Sequence, residues 1–177
     1  MLRLSILRFM FISFLLQGGI LAAQQVPVDE ETGKIVYREV VQQEGSREQL
    51  FNRAISWLNE YYVNPVSVTK TRDPKSGLIK GLHRFRIRQT LEDGTRTDAG
   101  TLQYEFKIEL KENRYRYTLS DFVLRQSSAI PAEKWLKEDN PLAKDYLAQL
   151  HEFATGWIES LKEGMKPPAT SADDDDW

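Results

Sequence analysis

Between residues 79 and 120 the chain alternates apolar and polar side chains with period two, in three successive stretches. The first sets Ile79, Phe85 and Ile87 on one side and Lys80, Arg84, Arg86 and Arg88 on the other. The second sets Leu102, Tyr104, Phe106, Ile108 and Leu110 against Gln103, Glu105, Lys107, Glu109 and Lys111. The third sets Tyr115, Tyr117 and Leu119 against Arg114, Arg116, Thr118 and Ser120. Glu92-Asp93-Gly94 and Glu112-Asn113 supply turn residues between them. Successive strand side chains point to opposite faces, so the pattern predicts an antiparallel sheet with one dry and one wet face.

A sheet with one dry face needs a cover. Two helical stripes offer it. Ser46 and Gln49 have the spacing of a capping box, and Leu50, Phe51, Ala54, Ile55, Leu58, Tyr61 and Tyr62 follow on one side of a helix ended by Asn64-Pro65. Asn140-Pro141 starts the other, with Leu142, Tyr146, Leu147, Leu150, Phe153, Ala154, Trp157, Ile158 and Leu161 along it up to Gly164. Trp57 is expected to be at least partly buried, and Phe51, Leu58 and Trp157 to lie in the core. Ile35-Val36-Tyr37 with Val40-Val41, and Val66 to Thr71, read as further strands. Ile130-Pro131 opens a short helix through Trp135 and Leu136. The class is α+β, in the order β-α-β-β-β-β-α, with both helices on one face of the sheet.

The ends differ from this middle. Arg3 and Arg8 precede the apolar run Phe9–Leu16, and Ala22-Ala23 supplies small residues near a cut, so residues 1–23 read as a cleavable signal peptide. The unbroken apolar run is too short to span a bilayer comfortably, so stable membrane insertion after cleavage is not expected. Residues 24–33 read as a flexible N-terminal segment, 34–164 as a single α+β domain, and 165–177 as a disordered tail containing Asp173–Asp176. The chain has 177 residues and no cysteine, which excludes disulfides, thiolate metal sites and a lipid-modified N-terminal cysteine. Removing the leader leaves 22 positive against 26 negative side chains, and without the four aspartates the balance is even. A neutral domain has no global field to steer it to nucleic acid.

No serine elbow, phosphate-binding glycine loop or paired-histidine metal motif is present, so the sequence assigns no catalytic residue, no metal ligand and no cofactor. His83 alternates with Phe85 and Ile87 and reads as a half-buried sheet histidine, whereas His151 reads as a surface residue of the last helix. The most distinctive chemistry is on the wet face. Arg84, Arg86, Arg88, Arg114 and Arg116 share it with Glu105 and Glu109. The ordinary reading is a solvated face with cross-strand ion pairs. The functional reading is a platform for an anionic partner, because guanidinium binds carboxylate and phosphate through two parallel hydrogen bonds. The strand carrying Glu105 and Glu109 decides between them: set between the two arginine strands, its glutamates neutralise most of the face and the ordinary reading holds, whereas a bend of the sheet that leaves one arginine row beyond their reach leaves guanidinium groups unpaired for a partner.

Ile35-Val36-Tyr37 with Val40-Val41, then Ser46, Leu50-Phe51-Asn52-Arg53-Ala54 and Trp57, resemble the opening of a family of uncharacterised exported bacterial proteins, a domain of unknown function with a fold like TATA-binding protein. The similarity continues through Asp73, Gly77, Ile79 and Gly81, and through Glu109-Leu110-Lys111, Arg114-Tyr115-Arg116-Tyr117 and Asp121-Phe122. It covers about Lys34 to Arg125. The resemblance implies a curved antiparallel sheet with helices on one face and brings no catalytic residues. The fold name imports no function. Sheets that bend DNA use apolar wedges and a basic surface, whereas this face carries Glu105 and Glu109, so nucleic acid is not expected as a partner.

The expected function is that of an exported protein, periplasmic or secreted, acting as a non-catalytic binding module of the envelope with an anionic ligand or protein as partner. Two alternatives stand beside it: an enzyme with an unrecognised site acting on envelope polymers, and a structural accessory of an envelope assembly. Converging carboxylates or His83 in a concave pocket favour the enzyme, a broad arginine face favours binding, and an exposed apolar patch favours assembly.

Overall fold

The computed structural model describes residues 26–168. The expected leader and the aspartate tail with Trp177 lie outside the described residues. Leu102, Tyr104, Phe106, Ile108 and Leu110 are all buried, and the strand that carries them, β4 (Arg96–Lys111), is the middle of the sheet. On one side of it lie β3 (Leu78–Thr90) and then β2 (Thr69–Asp73). On the other side lie β5 (Arg114–Arg125) and then β1 (Tyr37–Gln42). A short β6 (Ala129–Pro131) pairs with Val123–Arg125, continuing the line of β1 along the same edge of β5. Every pairing is antiparallel.

The helices form where the residues predict. Ser46 Oγ accepts from Gln49 N at 3.1 Å and Gln49 Oε1 accepts from Ser46 N at 2.8 Å, closing the capping box of α1 (Arg47–Tyr61). Asn140 caps α3 (Pro141–Gly164) by accepting from Ala143 N at 2.8 Å. Both helices cover the dry face. Trp57 of α1 meets Trp157 of α3 edge-on at 5.0 Å, and Phe85 of β3 stacks on Phe153 of α3 at 3.8 Å. Phe51, Trp57, Leu58 and Trp157 are buried, as the stripes require. Each fully buried side chain of this size contributes about 1.5–3 kcal/mol. The core also holds a polar thread: the Trp157 indole N–H donates to the Tyr62 hydroxyl at 2.8 Å, and Tyr62 and Tyr104 share a hydrogen bond at 3.0 Å. Burial raises the pKa of both phenols, so they stay protonated.

Three local departures come from competing signals. The strand expected over Val66–Thr71 begins at Thr69, because Asn64-Pro65 starts a helical turn as well as ending α1. Asn64 accepts from Ser67 N at 3.2 Å and caps α2 (Pro65–Val68). Ala129–Pro131 pairs as a strand, and the short helix expected there is a 3-10 turn over Ala132–Lys137. The register of β4 against β5 slips between Gln103 and Glu105, where Asp121 adopts φ 55°. This bulge moves the inward parity of β5 from Leu119 to Phe122 and Leu124, all buried. Of the segment 24–33, Val26 is buried and Val28 bridges Ile35 across a turn in which Thr32 N donates to Asp29 at 3.0 Å.

Candidate functional site

The wet face is set by the strand order. β4 lies between β3 and β5, so Glu105, Lys107 and Glu109 run between the two arginine strands. At one end, near the β4–β5 turn, Glu109 stands opposite Arg116. Arg116 donates through Nε and Nη2 to both carboxylate oxygens of Glu109, each at 2.8 Å, and Lys107 Nζ adds a contact at 3.1 Å. The Arg116 hydrogen bonds lead in holding Glu109 below the usual carboxylate range, with Lys107 assisting. Arg114, opposite Gln42 and Lys111, has no described carboxylate within 4.0 Å.

At the other end of the face the partners change. Arg84 stands opposite Gln103, Arg86 opposite Thr101 and Arg88 opposite Asp98. Thr101 is flanked on its far side by Arg125, which the Asp121 bulge turns outward and which is exposed. Arg96 shares the face two residues before Asp98. Among the described residues these five guanidinium groups meet one carboxylate: Arg86 Nε lies 3.5 Å from Asp98 Oδ2, with both side chains more than half exposed. Glu92 and Asp93, in the adjoining turn, form no ion pair with them. The five arginines named from sequence are thus divided. Arg116 is neutralised, Arg114 is isolated near the β4–β5 turn, and Arg84, Arg86 and Arg88 form a row that Arg125 and Arg96 extend. Parity carried straight through β5 would have buried Arg125; the apolar spacing Leu119, Phe122, Leu124 was the clue to the slip.

Two clefts open beside the sheet. One, of about 630 Å³, lies where β2 stops pairing with β3 and is lined by Tyr61, Val63, Lys70, His83, Arg84 and Phe153 among others. Among the described residues no carboxylate lines it. His83 is half-buried there, as expected. Desolvation, aided by the Arg84 charge, lowers its pKa and keeps it neutral, and Nδ1 has no partner among the described residues. A histidine base is normally oriented by a second group; here no acid is present, and Ser67 donates its hydroxyl to Asn64 O at 2.9 Å. The other cleft, of about 750 Å³, lies between Val26, Trp135, Leu147 and His151. His151 corrects the surface assignment: it is half-buried, and its Nδ1 shares a 3.0 Å hydrogen bond with the Tyr37 hydroxyl. The two histidines line different clefts and form no pair. Among the described residues no group of three or more acids and histidines converges on a point that could hold a metal ion.

Residues 37–125 match a family described as a domain of unknown function (DUF4468) with TBP-like fold. A TBP-like protein from Parabacteroides distasonis is similar in structure, with a TM-score of 0.62 at 18% identity over 79% of this chain and 96% of that one. A DUF4468 family protein from Bacteroides ovatus is similar at a TM-score of 0.65 and 18% identity, over 85% of this chain and 94% of that one. At this identity the likeness speaks to the fold alone. No curated protein matches the chain.

Proposed function

Since the chain belongs to the DUF4468 family, whose fold carries no stated activity, we propose from its own surface that it is a non-catalytic binding module of the bacterial envelope, exported by its leader, that takes an anionic partner on the arginine row of its outer sheet face. One observation carries the binding part: Arg84, Arg86, Arg88, Arg96 and Arg125 lie on one end of the face, and among the described residues only Asp98 comes within ion-pair distance of any of them. Exposed guanidinium groups held on a rigid sheet are preorganised for carboxylate or phosphate. The enzyme alternative loses support at the His83 cleft, which holds neither an orienting acid nor an activated nucleophile.

Export rests on Arg3, Arg8, the apolar run and Ala22-Ala23. N-terminal sequencing of envelope material is expected to begin near Gln24; an intact Met1 in the membrane fraction overturns it. For binding, the Arg84→Gln, Arg86→Gln, Arg88→Gln variant is crosslinked in native envelope beside the parent protein. Loss of an anionic partner is expected. Unchanged partner recovery sinks the reading.

A further inference from the structure

The edge of β3 that faces away from β4 is covered along part of its length only. β2 pairs with Leu78 to Gly81 and no further. Beyond Leu82, no described segment pairs with this edge. Which groups it presents follows from Arg88. The Gln149 side chain of α3 donates Nε2 to Arg88 O at 2.7 Å and accepts from Arg88 N at 3.1 Å through Oε1. A side-chain amide here occupies the place of a neighbouring strand, so the main chain of Arg88 points to the open edge. Strand main-chain groups alternate in direction with period two. Leu82, Arg84 and Arg86 therefore turn their N–H and C=O groups to the same edge; the Thr69–Gly81 pair brings Val68 O to the Leu82 N–H, and no described segment pairs with Arg84 or Arg86 there.

Both sides of this edge are furnished. On the outer side stand the side chains of Arg84, Arg86 and Arg88. On the inner side lies the 630 Å³ cleft with Tyr61, His83 and Phe153, and with Val63 fully exposed at its rim. Sheet edges are usually guarded by proline, bulges or covering loops; this one has the end of β2 at Gly81, the Gln149 cap at Arg88 and no described segment paired with Arg84 or Arg86 between them. We propose that the edge of β3 between Leu82 and Arg88 binds an extended peptide as an added antiparallel strand in line with β2, with acidic side chains at alternate positions over the arginines and apolar ones toward the cleft. The proposal rests on the anionic-partner reading above and names its partner class and mode. Charge selects this occupant over a second copy of the chain, because pairing two β3 edges would set one row of guanidinium groups beside the other. Main-chain bonds supply affinity in strand addition and the alternate side chains supply specificity.

The probe is a fluorescent decapeptide of alternating glutamate and valine, titrated by anisotropy against the purified protein. In the antiparallel register the glutamates that meet the edge lie opposite residues of the parity of Arg84 and Arg86, so the glutamate N–H groups form the ladder and the valine N–H groups point away. Methylating the glutamate nitrogens is expected to weaken binding by about tenfold or more, while methylating the valine nitrogens leaves it within about twofold. Because the change is made in the probe, the fold of the protein is not at stake. The Arg84→Gln, Arg86→Gln variant, its fold checked by circular dichroism, should weaken the parent peptide comparably. Equal binding of all methylated forms, with the arginine dependence kept, overturns strand addition and leaves the anionic-partner reading standing. Binding indifferent to the arginine variant overturns both. Loss on valine methylation alone overturns the register. No binding at millimolar peptide, or a dimer in sedimentation that excludes the peptide, overturns the proposal.

Discussion

Arg116 and Arg86 occupy the same face of the same sheet, on the two strands that flank β4, and they live in different electrostatic surroundings. Arg116 is clamped by both oxygens of Glu109. Arg86 reaches Asp98 at 3.5 Å through one nitrogen, and its neighbours across β4 are Thr101 and Arg125. The difference arises in β4 itself. Its outward residues are Glu105, Lys107 and Glu109 toward the β5 turn but Gln103 and Thr101 toward the β3 turn. One strand thus pairs Arg116 at one end of the face and, at the other, supplies the arginine row with Asp98 alone among the described residues. The same division appears at the edge, where β2 and α2 seal the neutral half and the seal stops at Gly81. The paired half reads as scaffold, and the unpaired half is the one proposed above to take a partner.

Both halves ride on one core, and the largest effects should not distinguish them. Phe51→Ala is expected to destabilise the protein by about 3–5 kcal/mol in urea melts and to do so in one transition. A loss below about 1 kcal/mol would put the α1 stripe on the wrong side. Gly81 marks the border. A Cβ there would meet Val68 O and the Phe106 ring at contacts no side chain tolerates. Gly81→Ala should cost about 3 kcal/mol, since β2 or Phe106 must give way. Hydrogen exchange sharpens the comparison: amides of Thr69–Asp73 should lose protection before those of Leu102–Leu110. Uniform loss would deny that the seal ends at this residue.

The alternation that predicts β3, β4 and β5 is local, and it was legible as far as Ser120. So were the capping box at Ser46 and the Asn-Pro start at residue 140. The same Asn-Pro pair at residue 64 reads as a stop, and its second meaning, the cap of α2, was missed because the alternation of Val66 to Thr71 looked like a strand. On the candidate site, sequence put Arg84, Arg86, Arg88, Arg114 and Arg116 on one face, as the structure has them. It did not reach their division, because that depends on which outward residue of β4 stands opposite each arginine, a matter of register between strands distant in sequence. Arg125 was lost for a related reason: a single left-handed residue, Asp121, reverses the parity of everything after it in β5. The open edge of β3 was illegible altogether, since an absent neighbour leaves no pattern in the strand that lacks it.

A smaller effect tests the neutral half. Glu109→Gln should cost about 0.5–1 kcal/mol at pH 7, the range for a well-formed bidentate pair near the surface. The sign with pH follows from the lowered pKa of Glu109. A carboxyl whose folded value lies below its ordinary 4.5 adds stability above that value and loses it as pH falls through the folded one. The gap between parent and variant should therefore narrow as the solution is acidified below the ordinary carboxylate range and Glu109 takes up its proton. A gap that persists there would show that the glutamate acts through packing and not through its charge, and Arg116 would then be no better neutralised than Arg86.

The smallest expected effect lies on the cationic half and has the opposite sign. Arg84, Arg86 and Arg88 project from one side of one strand at a spacing of about 7 Å, where two like charges in water repel by roughly 0.6 kcal/mol before screening. Asp98 offsets part of this for Arg86 alone. Replacing all three by Gln removes the repulsion and keeps polar side chains of similar reach, so stability should hold or rise by up to about 0.5 kcal/mol at low ionic strength. Salt gives the sharper readout. Screening lengths fall from about 30 Å at 0.01 M to about 10 Å at 0.1 M, so the parent should gain stability over that interval and the variant should gain less. A variant that loses more than about 1 kcal/mol would mean that these arginines stabilise the fold at least as much as the Arg116–Glu109 pair does, and the two halves of the face would no longer differ in kind. A variant as stable as the parent, with a flatter salt response, places the row among groups the fold can do without, which is what an interaction surface requires.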